Sequence, residues 1–458
     1  MTNAPVVRPF AVTHRSVTAI AVPMALAHLS TPLIGITDMA VIGQLGSAVL
    51  IGAVALGAIL FDFIGGTLNF LRSGTTGLTA QALGAGDKEL QIATLWRALV
   101  LAAAIGTAMV ALQAPILAAF LALMGASPEV DAATADYFDV RIYGMPLMLA
   151  NYAILGWLLG LGRAAVGLVL QIVLGLTNIA LSVVFVLALG TGVAGVAAAS
   201  VLAELAALAA GLLVVRRALG TLRPPQWRRI ADRVGLMRML AVNRDIMIRS
   251  LLLLFAFAFF TAQGARTDDV TLAANALLMN LFLLSAYFLD GLATAAEQLA
   301  GRAVGARYRP AFDRAVTLTV VWGFVVSGAL TFALLAGGGA LIDLMTTSDA
   351  VREAARTYLV WAALTPLIGT LAFQMDGVFI GATWTATMRN MMILSAAGYL
   401  AVWWLTREPL GNHGLWIALL TFLGARGVTL SWRCRTLAAR TFRDTGLPGA
   451  PVPTAEPV

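Results

Sequence analysis

Charge is what this chain has least of. Asp, Glu, Lys and Arg make up 12% of its 458 residues, against 60% hydrophobic residues. A soluble domain cannot hide that much apolar surface, so the composition, with a mean hydropathy of +0.88, points to a polytopic membrane protein. Cysteine is nearly absent as well. The single Cys434 excludes an internal disulfide and any cysteine metal cluster. No phosphate loop, zinc signature or nucleophile elbow occurs, which leaves ATP hydrolysis unsupported; no catalytic residue, metal or cofactor is expected. A cleaved signal peptide is not expected either, because the first apolar run, 17–43, is too long and ends without a small-residue cleavage site.

What the chain does have is apolar runs of the roughly 20 residues that cross a bilayer. Twelve spans are expected, at 17–43, 48–71, 93–122, 138–162, 166–190, 193–216, 246–265, 271–292, 315–343, 357–381, 391–406 and 413–433. The connections alternate in charge. One set holds 25 of the 30 basic residues; the other holds only Arg141, Arg266, Arg352, Arg356 and Arg407, together with acids such as Asp136, Asp139, Asp268 and Glu353. By the positive-inside rule the basic side is cytoplasmic, so both termini are expected inside, in a multi-pass protein of the cell inner membrane. The same rule accounts for the basic excess without a nucleic-acid partner. The longest basic connection, "RRALGTLRPPQWRRIADRVGLMRML", reads as an amphipathic anchor at the lipid surface, and the Pro-rich end "TGLPGAPVPTAEPV" as a disordered tail. The expected divisions are an N-lobe at 1–220, a basic cytoplasmic linker at 221–245, a C-lobe at 246–435 and a tail at 436–458.

The two halves echo each other. "QALGAGD" at Gln81 matches "RAVGARY" at Arg302, Pro146 matches Pro366, and "GVAG" at Gly192 matches "GNHG" at Gly411, all at offsets of 219 to 221. Six spans in each half make a parallel repeat about an axis along the membrane normal, with a central site between lobes, an architecture that suits alternating access. Asp38, in "TPLIGITDMAVIGQLG", has no mate in this repeat: its counterpart is Ala258. A carboxyl group among apolar residues is costly in a membrane, usually faces a cavity and carries function. In low dielectric such a group holds its proton to higher pH than in water.

Several stretches, "TPLIGITDMAVIGQLG", "FLRSGTTGLTAQALGAGD", "NRDIMIRSLLLLFAFAFFTAQGAR" and "FQMDGVFIGATWTATMRN" among them, resemble the multidrug and toxic compound extrusion (MATE) family, in its DinF-like branch. The resemblance runs from about 20 to 430. It implies an all-α membrane protein of twelve helices in two six-helix lobes with pseudo-twofold symmetry, and export driven by a proton or sodium gradient. It also implies that Asp38 is the proton-coupling acid and that Pro23 bends the first helix. Asn178 and Ser200 match the family's span 5 amide and span 6 hydroxyl. Ser182 stands where the family has a second acid, which leaves Asp38 as the main titrating group of this lobe.

Alternatives stand beside each reading. Asp38 could serve only a structural hydrogen bond. Asn151, Asn178, Ser182 and Ser200 either orient Asp38 or bind a cation, or they are interhelical glue. Pro23 is a switching hinge or a static kink. Asp290 and Asp376 are C-lobe cavity candidates or structural, with Glu297 a further acid of that half; Asp62 is a buried acid without a role. His28, ten residues before Asp38, reads as packing, and Gly156 and Gly160 as sites of close helix approach. The expected activity is proton-coupled antiport of lipophilic, cationic drugs, the partners being small organic substrates, protons and membrane lipid, in a monomer. The alternatives are sodium coupling, or flipping of a lipid-linked precursor, which the acidic intramembrane charges disfavour. A receptor or membrane enzyme has no support in the sequence.

Overall fold

The computed structural model describes residues 7–220 and 227–443, and the regular structure among them is entirely helical. In chain order the helices are α1 (His14–Gly43), α2 (Ala48–Leu68), α3 (Phe70–Gly84), α4 (Lys88–Ala111), α5 (Gln113–Met124), α6 (Pro128–Arg141), α7 (Met145–Gly160), α8 (Ala164–Val183) and α9 (Gly192–Leu219). They continue as α10 (Trp227–Ile230), α11 (Arg233–Ala265), α12 (Asp269–Gly305), α13 (Arg309–Met345), α14 (Asp349–Gly381), α15 (Thr385–Leu410) and α16 (Asn412–Thr441). A 3₁₀ turn, Ile142–Gly144, joins α6 to α7, and a π turn, Val184–Ala188, extends α8.

Among the described residues eleven helical segments are long and apolar enough to cross a membrane, with α2–α3 and α6–α7 each counted once. The expected span at 391–406 lies in α15, whose 26 residues reach about 39 Å. That length suffices, but Arg389 and Asn390 at one end and Arg407 and Glu408 at the other dilute its apolar run.

Helices also run past their apolar segments. α12 continues from 292 to Gly305 because "ATAAEQLAG" is rich in good helix formers and buries Ala295, Ala296 and Ala300. Two of the expected divisions change for the same reason. Residues 436–441, assigned to the tail, continue α16, with Ala438 buried and Phe442 stacked 5.4 Å from Phe312; the remaining Pro-rich end lies outside the described residues. Within the linker, residues 221–226 lie outside them too, whereas α10 and the start of α11 are helical. There the buried Arg97 guanidinium donates to the carbonyls of Arg229 and Ile230 at 2.5 and 3.0 Å.

The chain forms two compact units. The N-unit is Leu26–Thr79 with Lys88–Leu240; the C-unit is Ala241–Val458 with Met1–Ala25 and Ala80–Asp87. The latter two segments were expected in the N-lobe. Glycine explains their membership: a Cβ at Gly84 would run into the Arg302 backbone, one at Gly305 into that of Gln81, and one at Gly291 into Ala21.

Each unit repeats one close helix pair. In the N-unit, Gly156 and Gly160 of α7 pack against the carbonyls of Arg72 and Thr76 on α3. In the C-unit, Gly377 and Gly381 of α14 pack against those of Ala293 and Glu297 on α12, each residue 221 positions later. Without side chains the backbones come into contact, which is how helices associate where water supplies no hydrophobic drive. Turns repeat as well. The left-handed Gly86 and Gly162 (φ +65° and +76°) recur as Arg307 and Thr383 (φ +52° and +55°).

Candidate functional site

Helices α1, α6, α7, α8 and α9 of the N-unit carry a ladder of polar pairs, its rungs one helical turn apart. On α1, Asp38 is 7% exposed and accepts a hydrogen bond from the Ser182 hydroxyl of α8 at 2.7 Å. One turn earlier on α8, on the same face, Asn178 Nδ2 donates to Ser200 Oγ of α9 at 2.9 Å. One turn later on α9, Glu204 accepts from Asn151 Nδ2 of α7, at 2.7 Å to its carboxylate and 2.9 Å to its carbonyl. Arg141, near the end of α6, stands 3.8 Å from the Glu204 carboxylate. The structure thus brings together all five N-lobe residues singled out in the sequence.

Two members of this ladder were not. Glu204 is buried and makes a second carboxylate in the N-unit, so Asp38 is not the only acid there. Its signal was a lone acid in the apolar run "SVLAELAALAA". Arg141 was counted with the external loops, although the expected span 138–162 contains it. The helix starts ten residues earlier, with Pro128 in its first turn and the Ser127 hydroxyl capping Val130 N–H. Arg141 therefore sits within the bundle, with its guanidinium 5.1 Å from the Phe61 ring centre. Its charge acts on Asp38, Asp62 and Glu204 alike. The stretch from Ser16 to Leu71 holds no Arg or Lys, so this charge reaches Asp38 from another helix. Asp62, expected to be buried, is exposed on α2 next to the buried Phe61.

Other features bear on how the ladder could change. Asn178 Oδ1 is buried with no partner among the described residues, so the ladder keeps one open acceptor. The π turn begins two residues after Ser182, and such turns cluster at functional sites. Pro23 lies inside α1 and withholds one backbone donor; the division between the two units falls at Ala25 and Leu26 of the same helix. His28 Nε2 is buried without a hydrogen-bond partner among the described residues.

The C-unit differs from expectation in sign. Asp376 on α14 is buried between two arginines: it pairs with Arg249 of α11, and its Oδ2 lies 3.4 Å from Arg426 Nη2 of α16. Both arginines were counted with the cytoplasmic loops, yet Arg426 is 1% exposed in the middle of its helix. Asp290, half-buried on α12, acts on Arg426 electrostatically, and Glu297 is buried on the same helix. Acidic intramembrane charge therefore no longer argues against an anionic cargo.

The MatE family model matches residues 23–184 and again 246–403, once in each half of the duplication. The chain belongs to the MATE family. It is 40% identical to DNA damage-inducible protein F of Escherichia coli K12 over 428 residues, 90% of this chain and 91% of that protein. It is 26% identical to protein DETOXIFICATION 44, chloroplastic, of Arabidopsis thaliana, across 91% of this chain and 81% of the relative. A crystal structure of a MATE protein in a bent conformation superposes with a TM-score of 0.87 at 18% identity, covering 94% of this chain and 97% of the other. An outward-facing multidrug resistance MATE transporter gives 0.83 at 19%, covering 94% and 97%. This MATE chain is accordingly a multi-pass membrane transporter of small organic compounds, of the multidrug-efflux type, and not an enzyme.

Proposed function

We propose that this MATE protein is a proton-coupled antiporter of lipophilic organic cations in the inner membrane, with both termini cytoplasmic, and that Asp38 is the group at which proton and substrate exchange. The observation that carries this reading is the bond between Asp38 on α1 and Ser182 on α8. An ionised carboxylate only accepts hydrogen bonds, and a charge-assisted bond is roughly twice as strong as a neutral one. Protonation of Asp38 therefore weakens the tie between α1 and α8 by about 1 kcal/mol. It also removes the negative charge that holds a cationic substrate, so proton and drug compete for one carboxylate. Asn178, Ser200 and Asn151 carry the effect across α8, α9 and α7 to Glu204 and Arg141. Pro23, one backbone bond short, is where α1 would bend.

The C-unit supports proton over sodium coupling. A sodium ion at Asp376 would sit beside two guanidinium groups, whose positive charge repels it. The test is proton counterflow. Adding a cationic drug to everted vesicles that hold a pH gradient should dissipate the gradient, and Asp38→Asn should abolish the effect. Equal dissipation by that variant would remove Asp38 from the coupling step.

A further inference from the structure

We infer that the C-unit contains a binding site for a zwitterionic group, an oxyanion next to a protonated amine, built by Arg249, Arg426 and Asp376. This site shares no residue with the Asp38 ladder.

The inference starts from hydrogen bonds left unmade. Arg426 is 1% exposed and its guanidinium reaches Asp376 Oδ2 through one nitrogen, at 3.4 Å. Its Nε and Nη1 are buried and have no hydrogen-bond partner among the described residues. Arg249 bonds the same carboxylate oxygen through Nη2, and its Nε is likewise buried and unpartnered. Asp376 Oδ1, the other oxygen of the shared carboxylate, accepts nothing. Three cationic donor atoms and one anionic acceptor atom are thus unsatisfied within one cluster. Each such group is costly when buried, and more so where no water competes. Buried polar groups of native proteins rarely stay unpaired, so four in one cluster call for an explanation, and a bound group of matching charge supplies one.

Charge decides what that is. Two arginines face Asp376, and Asp290 acts on Arg426 from α12. The four charges cancel. A lone anion or a lone cation would leave the cluster unbalanced in low dielectric; a group carrying both signs would not. Its oxyanion suits the planar guanidinium fork, and its ammonium suits Asp376 Oδ1. The rings of Phe373 and Phe422, centred 5.9 and 5.8 Å from the Arg426 guanidinium carbon, supply an apolar wall, so the ligand is amphipathic. Two sources share this chemistry: a soluble amino-carboxylate and a phosphoethanolamine lipid headgroup.

Binding is measured on the purified full chain in detergent, as ligand-dependent thermal stabilisation. The soluble probes are free phenylalanine, its methyl ester and its N-acetyl derivative, which are zwitterion, cation and anion. The lipid probes are short-chain phosphatidylethanolamine and phosphatidylglycerol. At least one zwitterion should bind about tenfold or more tightly than its singly charged analogue, a margin that one charge-assisted bond supplies; which one identifies the source. Arg426→Gln should abolish the preference. So should Arg249→Gln, whose site is less buried and which keeps the proposal testable if the first variant unfolds. The inference is overturned if neither zwitterion is preferred, as when water alone fills the site, or if the preference survives in a folded variant.

Discussion

Asp38→Asn is the perturbation that separates coupling from folding. The amide matches the carboxylate in shape and keeps an oxygen where Ser182 Oγ now donates at 2.7 Å. The bond changes from charge-assisted to neutral, a loss of about 1 kcal/mol. Against that, a neutral side chain is cheaper than a charge in a membrane interior. These two changes nearly offset each other, so insertion and thermal stability should stay close to wild type. Transport should not, because the variant cannot release a proton. Efflux of a fluorescent cationic drug from proteoliposomes, driven by an imposed pH gradient, should fall to the leak rate. Glu204 cannot take over, since Asn151 and Arg141 already engage its carboxylate. Asp376→Asn, in the other unit, should reduce the rate only in part. Near wild-type efflux by Asp38→Asn together with a dead Asp376→Asn would place coupling in the C-unit and refute the reasoning.

Three more outcomes are expected. Ser182→Asp sets a second carboxylate against Asp38, and two carboxylates sharing a pocket titrate in two steps; the pH profile of transport should change shape accordingly, and an unchanged profile would show that residue 182 does not act on Asp38. Gly381→Ala drives a Cβ into the Glu297 carbonyl and should cost about 1–3 kcal/mol, whereas Gly398→Ala, with open space around it in α15, should be neutral or stabilising by about 0.5–1 kcal/mol; thermal unfolding of the purified protein compares them. Asp268 caps α12 by accepting from the Thr271 N–H at 2.7 Å, which holds its carboxyl below the usual aspartate range. The cap is therefore fully present above that range and is lost as pH falls through the lowered value, so the protection of the Thr271 amide, measured against its intrinsic exchange rate, should fall in acid, and Asp268→Ala should remove that change in protection.

The apolar runs located the membrane helices because hydrocarbon demands them, and Asp38 was legible as a single acid in such a run. What stayed hidden has a common physical cause: a tally of loop charge does not show which charges pair across helices. Arg141, Arg249 and Arg426 were counted with the loops although they fall inside the expected spans 138–162, 246–265 and 413–433, and each stands against an acid of a neighbouring helix. Glu204 carried the same signal as Asp38. It was passed over because the expected partner acid belonged on α8, where Ser182 stands; the carboxylate is one helix further on, a turn beyond Ser200. The repeat could be read from motifs, but its turn geometry could not be read in the second half, where Arg307 and Thr383 adopt the left-handed backbone that Gly86 and Gly162 announce in the first.

The central claim, that protons drive this transporter through the N-unit, meets its most direct test in sodium-free proteoliposomes. With a pH gradient as the sole driving force, the wild-type chain should export a cationic drug at a rate that added sodium does not raise. Strict dependence on sodium under those conditions would contradict the account.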